Sequence, residues 1–132
     1  MVFASAAADS CGQCVSRTAI VRGRMMELLV EHSLPGQASD DAFVVGVFSM
    51  LDVLLNVPLP VALAELGLPH SIEQALLVRG GLFGPYLCAI EACEHDDWSW
   101  IDIEAERLGL SAHQICVCRL HAMAWAENLA SG

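Results

Sequence analysis

Asp40–Leu55, DDAFVVGVFSMLDVLL, constrains this chain more than any other stretch. At about 100° per residue on a helix, Asp41, Ser49, Asp52 and Asn56 fall on one narrow strip that also carries Val45. Phe43, Val44, Val47, Phe48, Met50, Leu51, Leu54 and Leu55 cover most of the remaining circumference. A helix apolar on nearly all sides belongs inside a protein, with other elements packed around it. Gly46 sits within it, where glycine costs about 1 kcal/mol relative to alanine. Its presence predicts close approach by a neighbouring helix.

The flanking signals are helical as well. Val15–His32 reads as a first helix, with Ile20, Met25 or Met26, Leu29 and Val30 on its apolar side and Arg17, Arg24, Glu27 and Glu31 on its wet side. Pro35-Gly36 stops it. Residues 1–13 read as a flexible, Ala/Ser-rich lead-in, leaving 14–132 as a single helical domain. Ser39 or Asp40 caps the central helix, and Pro60 opens a short helix, Val61–Leu66, closed by Gly67. Ser71 caps Ile72–Arg79, which Gly80-Gly81 ends. Pro85 lies in the first turn of a helix that runs to Glu94, and His95-Asp-Asp97 forms a loop. Trp98–Leu108 is followed by Gly109. Ser111-Ala-His-Gln114 is a capping box, flanked by a Leu110/Ile115 staple, for a last helix to about Asn128 that buries Ile115, Ala122, Trp125 and Leu129. No strand-like alternation or internal repeat is present. The fold class is all-α, a compact domain of six or seven helices.

Charge narrows the partners. The net charge of −10 comes with six arginines and no lysine, so there is no basic field for nucleic acid or an anionic membrane surface. The chain is 55% hydrophobic with a mean hydropathy of +0.52, high for 132 residues, which predicts apolar surface meeting another chain or segment. Between Ala42 and Ala64 only Asp52 is charged. A membrane span is nevertheless disfavoured by that mid-span carboxylate, by Pro58 and Pro60, and by the lack of flanking Lys or Arg. Met1–Ala8 lacks the pattern of a signal peptide, so the six cysteines are expected to be reduced thiols in a cytoplasmic protein.

From the central helix onward the residue order resembles the HDOD domain family. The resemblance is carried by Phe43-Val-Val-Gly46-Val-Phe48-Ser49-Met-Leu51-Asp52-Val-Leu54-Leu55 and Pro58. It continues through Leu66, Leu68, Ile72, Ala75-Leu76-Leu77, Gly81, Gly84, Glu94, Asp97-Trp98, Ala105-Glu-Arg-Leu-Gly-Leu110 and Ala124-Trp125-Ala126, with Arg22-Gly-Arg24-Met25-Met26-Glu27 upstream. It spans about Thr18–Asn128. The family resembles the HD and HD-GYP phosphohydrolases in fold but lacks their metal ligands, and it occurs in bacterial signalling proteins, often after an EAL-type domain associated with cyclic di-GMP turnover. The resemblance implies a non-enzymatic regulatory domain, of which this chain looks like the back half. No EAL-type stretch lies within these 132 residues.

Each chemical candidate has a plainer reading. His95-Asp96 imitates an HD pair, but it sits in a predicted loop, and the earlier histidines, His32 and His70, lie near helix ends or turns. Cys11-Gly-Gln-Cys14 has metal-knuckle spacing and needs a second pair. Cys116 and Cys118, with His121 or His113 nearby, point about 160° apart on a helix and cannot share one ion. A redox role for Cys11 and Cys14 would want a preceding strand, which is lacking. Cys88 and Cys93 read as small apolar residues. Ser49 has no adjacent base, and Ser71, preceded by His70 in a turn that offers no charge-relay geometry, is explained by capping. Asp52 is read as a partly exposed carboxylate or one satisfied by an arginine, with effector or partner binding as the alternative. Trp98, Trp100 and Trp125 read as core or interface anchors. The residues expected to serve interaction or regulation are Asp52, Phe48, Trp98 and Trp100, with no cofactor and no metal. The expected partner is a second copy or an adjoining signalling domain.

Overall fold

The computed structural model describes the backbone of residues 2–33 and 39–131 and the side chains of 14–33 and 39–129. Among the described residues, eight helices follow in order: α1 Val2–Ser33, α2 Ser39–Phe48, α3 Leu51–Leu55, α4 Leu59–Leu63, α5 His70–Val78, α6 Gly84–Glu94, α7 Trp98–Leu108 and α8 Ala112–Ser131. No strand occurs among the described residues. The all-helical class read from the sequence is therefore the class observed. The first helix begins earlier than expected, at Val2 rather than near Val15.

The core lies between the C-terminal half of α1 and the whole of α6. Met25, Met26, Leu29 and Val30 from α1 meet Leu87, Ala89, Ile90, Ala92 and Cys93 from α6, all at 0–1% exposure. Ala42 and Val45 of α2 close one side, and Ile115 and Ala122 of α8 another. The C-terminal helix is also held by Trp125, whose ring stands edge-on to Phe43 at 6.1 Å and lies beneath the Arg24 guanidinium at 5.2 Å. Leu129, expected inside, is 53% exposed near the end of that helix.

The central apolar rod is not one helix and is not the centre. It breaks at Ser49–Met50 into α2 and α3. Ser49 Oγ donates to the Gly46 carbonyl three residues back, at 2.6 Å, competing with the helical ladder. Met50 then sits at φ −106°, ψ 6°, outside the helical well. After the break α3 has no fully buried residue, and Leu54 and Leu55 face outward. The strip assigned as polar turns inward at its middle, where Val45 and Ser49 are buried, while Asp41 and Asp52 are half-buried and Asn56 is exposed.

Gly46 does allow close approach by a neighbour. A Cβ there would lie 2.5 Å from the Arg22 carbonyl carbon and oxygen and from Gly23 Cα. Gly23 faces back across the same crossing, towards Val47 and Phe43. Two glycines thus let α1 and α2 meet backbone to backbone.

Helix ends follow local chemistry in part. The capping box forms as expected: Gln114 N donates to Ser111 Oγ at 3.1 Å, and Ser111 N donates to Gln114 Oε1 at 2.9 Å. Pro85 occupies the first turn of α6. Ser71 is not a cap. Helix α5 begins at His70 after Pro69, whose carbonyl takes the first helical bonds from Ile72 and Glu73. The left-handed residue ending α5 is Arg79, at φ 55°, ahead of the Gly80-Gly81 pair. Its guanidinium donates to the Leu76 carbonyl at 2.7 Å and grips Glu91 of α6, which offsets the strain of that conformation in an L residue.

Candidate functional site

The most buried polar assembly lies where α1, α2 and α6 converge. Arg22 leaves α1 beside the Gly23/Gly46 crossing, so its side chain starts where the backbones of α1 and α2 meet. Its Nε donates to Glu94 Oε2 at 2.8 Å and its Nη2 to Glu94 Oε1 at 2.5 Å. Its Nη1 donates to Ser49 Oγ at 2.9 Å. The two charged side chains are 12% and 26% exposed, so this is a partly desolvated fork rather than a surface pair.

Burial alone would lower the Arg22 pKa. The bonds and charge of Glu94, with Glu91 and Asp52 farther off, outweigh it and raise the pKa above the ordinary arginine value. Arg22 stays a cation with all three of its nitrogens engaged. The assembly is a strut that ties the last residue of α6 to the α2–α3 break.

The four anticipated site residues do not gather around this strut. Asp52 is half-buried and contributes to it only as a more distant attraction on Arg22. Phe48 is half-buried against the core. Trp98 opens α7 and is 62% exposed. Trp100 packs partly against the core, with its ring 5.3 Å from that of His95. Of the two plain readings of Trp98, core or interface anchor, its exposure removes the first.

The chemical decoys also disperse. His95 caps the end of α6, with Nδ1 2.8 Å from the Glu91 carbonyl oxygen. Asp96 turns at φ 54° with its side chain 85% exposed, and Arg119 lies 3.6 Å away. His32 and His70 are exposed. Cys14 is exposed, Cys118 is in the core and Cys116 is half-buried, while the Cys11 side chain lies outside the described residues. Among the described residues, no three His, Cys, Asp or Glu side chains come together as a metal would require.

A second polar pair went unread from the sequence. Glu104 is 5% exposed and is gripped by Arg107, with contacts of 3.1 and 2.9 Å. The Arg22–Glu94 fork was equally hidden, because its partners are 72 residues apart. The available signal was an arginine between Val21 and Gly23, flanked by apolar residues on the side of α1 that faces inward.

The outer surface is more distinctive than the interior. Val53, Leu54 and Leu55 of α3 are 39–55% exposed, and Val61 of the neighbouring α4 is 60% exposed. Leu66 follows at 46%, and Leu77 and Val78 at the end of α5 extend the apolar exposure. No helix among the described residues is long and apolar enough to cross a membrane.

No family model and no solved structure matches the chain. It is similar to the cyclic di-GMP phosphodiesterase CdgJ of Vibrio cholerae, 26% identical over 108 residues, which is 82% of this chain and 25% of that protein. It is also similar to the uncharacterized protein YuxH of Bacillus subtilis, 28% identical over 118 residues, 87% of this chain and 27% of that one. The chain spans about a quarter of the length of the curated relatives it matches, and the likeness relates it to that portion of each.

Proposed function

We propose that this chain is a non-enzymatic regulatory module of bacterial cyclic di-GMP signalling, HDOD-like in kind, that acts in the cytoplasm through apolar contact with other protein. The observation that carries the reading is the exposed face of α3 and α4. Val53, Leu54, Leu55 and Val61 point outward from two five-residue helices on a chain whose net charge of −10 would otherwise keep copies apart. The Arg22 strut supports it from behind by fixing where α3 leaves α2. The likeness to part of a cyclic di-GMP phosphodiesterase supports the signalling context. The partner is a second copy of the chain or an adjoining signalling domain.

Light scattering after size exclusion, over a range of concentrations, tests the reading. The wild type is expected to associate with itself or with an EAL-type domain. A Leu55→Asp/Val61→Asp variant is expected to lose that association and keep its helical circular dichroism, since both side chains are more than half exposed. A wild type that stays monomeric and binds no such domain would refute it.

The name of the Vibrio relative favours a competing reading as a phosphohydrolase. Assaying cyclic di-GMP hydrolysis with added divalent metal separates the two. Turnover abolished by His95→Ala would replace the regulatory reading with the catalytic one.

A further inference from the structure

We propose that the cleft between α1, α6 and α8 is a binding site for a small aliphatic monocarboxylate, an unbranched alkyl chain ending in one carboxylate. The cleft has a volume of about 350 Å³, within the range that holds a small ligand. Its wall divides by chemistry. Val21, Met25, Ile90 and Met123 make its apolar part, with Met25 and Ile90 at 1% exposure forming the floor and Met123, 39% exposed, at the mouth. Arg17 and Arg119 bring to it two of the six arginines of a chain whose net charge is −10. The carboxylate in the wall, Glu94, has both oxygens taken by Arg22. Arg17 is paired with Glu127. Arg119 is therefore the cation that faces a ligand.

The Arg119 side chain is anchored without being used up. Its Nη1 donates to the Cys93 carbonyl at 3.0 Å and lies 3.6 Å from the exposed carboxylate of Asp96, which fixes the guanidinium against the end of α6. Among the described residues, its Nε and Nη2 have no protein partner. Those two nitrogens share one edge of the guanidinium plane, the edge that meets a carboxylate with two parallel hydrogen bonds. A doubly charged phosphate would be opposed by Glu94 in the same wall. A peptide would bring backbone amides that need partners, and Thr18, the neutral polar side chain of the wall, already spends its hydroxyl proton on the Cys14 carbonyl at 3.0 Å. An alkyl tail asks only for apolar contact, which the four apolar side chains supply. The cleft is lined by other helices than the exposed face of α3 and α4, so the site stands or falls independently of the regulatory reading.

Titrating octanoate into the intact chain with isotope-labelled methionine methyls, followed by NMR, tests the proposal. Met25 and Met123 line the cleft, one at its floor and one at its mouth. Their methyl signals are expected to shift saturably with octanoate below the concentration at which it forms micelles. Acetate, which lacks the tail, and methyl octanoate, which lacks the charge, are expected to leave them in place. Arg119→Gln should weaken octanoate binding by about tenfold or more, the worth of a charge-assisted hydrogen bond. Because Arg119 also braces the end of α6, Met123→Glu is the second variant. It sets a carboxylate at the mouth from a side chain already in solvent, so helical circular dichroism should be kept while the octanoate shift of Met25 is lost. Leu120→Asp, which lines a different hollow beside α8, should bind octanoate as the wild type does. The proposal is overturned if octanoate gives no saturable shift, if methyl octanoate moves the same signals as strongly, or if a folded Arg119→Gln or Met123→Glu protein binds octanoate as well as the wild type. Tighter binding of octyl phosphate, or of a peptide ending in leucine, would overturn the assignment of the ligand class.

Discussion

Replacing Gly46 with alanine should destabilise this protein, although the same change in an ordinary helix interior would stabilise it by about 1 kcal/mol. The added Cβ would sit 2.5 Å from three backbone atoms of Arg22 and Gly23, against an ordinary contact distance of 3.4 Å or more. Backbone cannot rotate away as a side-chain tip can, so α1 and α2 must separate by about 0.9 Å. A gap of about 0.5–1 Å forfeits a quarter to a half of each dispersion contact across it. The contacts at risk involve Met25, Met26, Ala42 and Val45, all essentially without exposure. Overpacking of this kind costs about 1–3 kcal/mol, and rigid neighbours place it at the upper end. After the helix-propensity gain, the net loss is about 2 kcal/mol, a fall in the thermal midpoint of roughly 8 °C for a chain of this size. Urea titration followed by circular dichroism measures it. Gly80→Ala is the control, because its Cβ would meet only the Val78 side chain at 3.4 Å, and it should change stability by less than about 0.5 kcal/mol. A Gly46→Ala protein as stable as the wild type, or more so, would mean that the two backbones do not touch.

Two further outcomes follow from buried charge. Glu94→Ala removes the carboxylate from a guanidinium that is 12% exposed and should cost about 2–3 kcal/mol by chemical denaturation, whereas Glu94→Gln, which keeps acceptor geometry, should cost clearly less. Stability should also decline in alkali. The Cys93 pKa rises from 9.0 to about 12 on folding, so above pH 9 the unfolded chain gives up this proton before the folded one does. The stabilisation is complete below pH 9 and is lost as pH climbs towards 12, and Cys93→Ala should flatten that slope in a pH series of urea midpoints.

What could be read from the residues in advance was mainly what is decided locally. Ser111 and Gln114 cap a helix because both hydrogen bonds close within four residues. Pro85 opens α6 and Gly109 ends α7 at φ 72° for equally local reasons. Gly46 revealed a close neighbour because nothing else repays a glycine in mid-helix. The failures share a different cause. Ser49 looked like one polar residue on a continuous rod, but it is recruited by Arg22 from 27 residues away and the rod breaks there. Arg79 took the left-handed position ahead of two glycines because Glu91, on the next helix, holds its side chain. Ser71 carried the chemistry of a cap, but Pro69 starts the helix two residues sooner. Asp52, Phe48, Trp98 and Trp100, the residues expected to serve interaction, lie apart in the fold, and that dispersal was not legible, since periodicity orders residues around one axis and says nothing of where the other axes lie.

The break at Ser49–Met50 has a consequence for local opening. Five-residue helices are far below the length at which a helix holds itself together in water, so α3 and α4 persist only through what they lean on. With no side chain of α3 fully sequestered, amide protons there should exchange with solvent through small fluctuations while those of α1 and α6 wait for global unfolding. A loosely held corner of the molecule thus also presents apolar side chains, and a partner that grips it would stiffen a segment that its own fold leaves free to open.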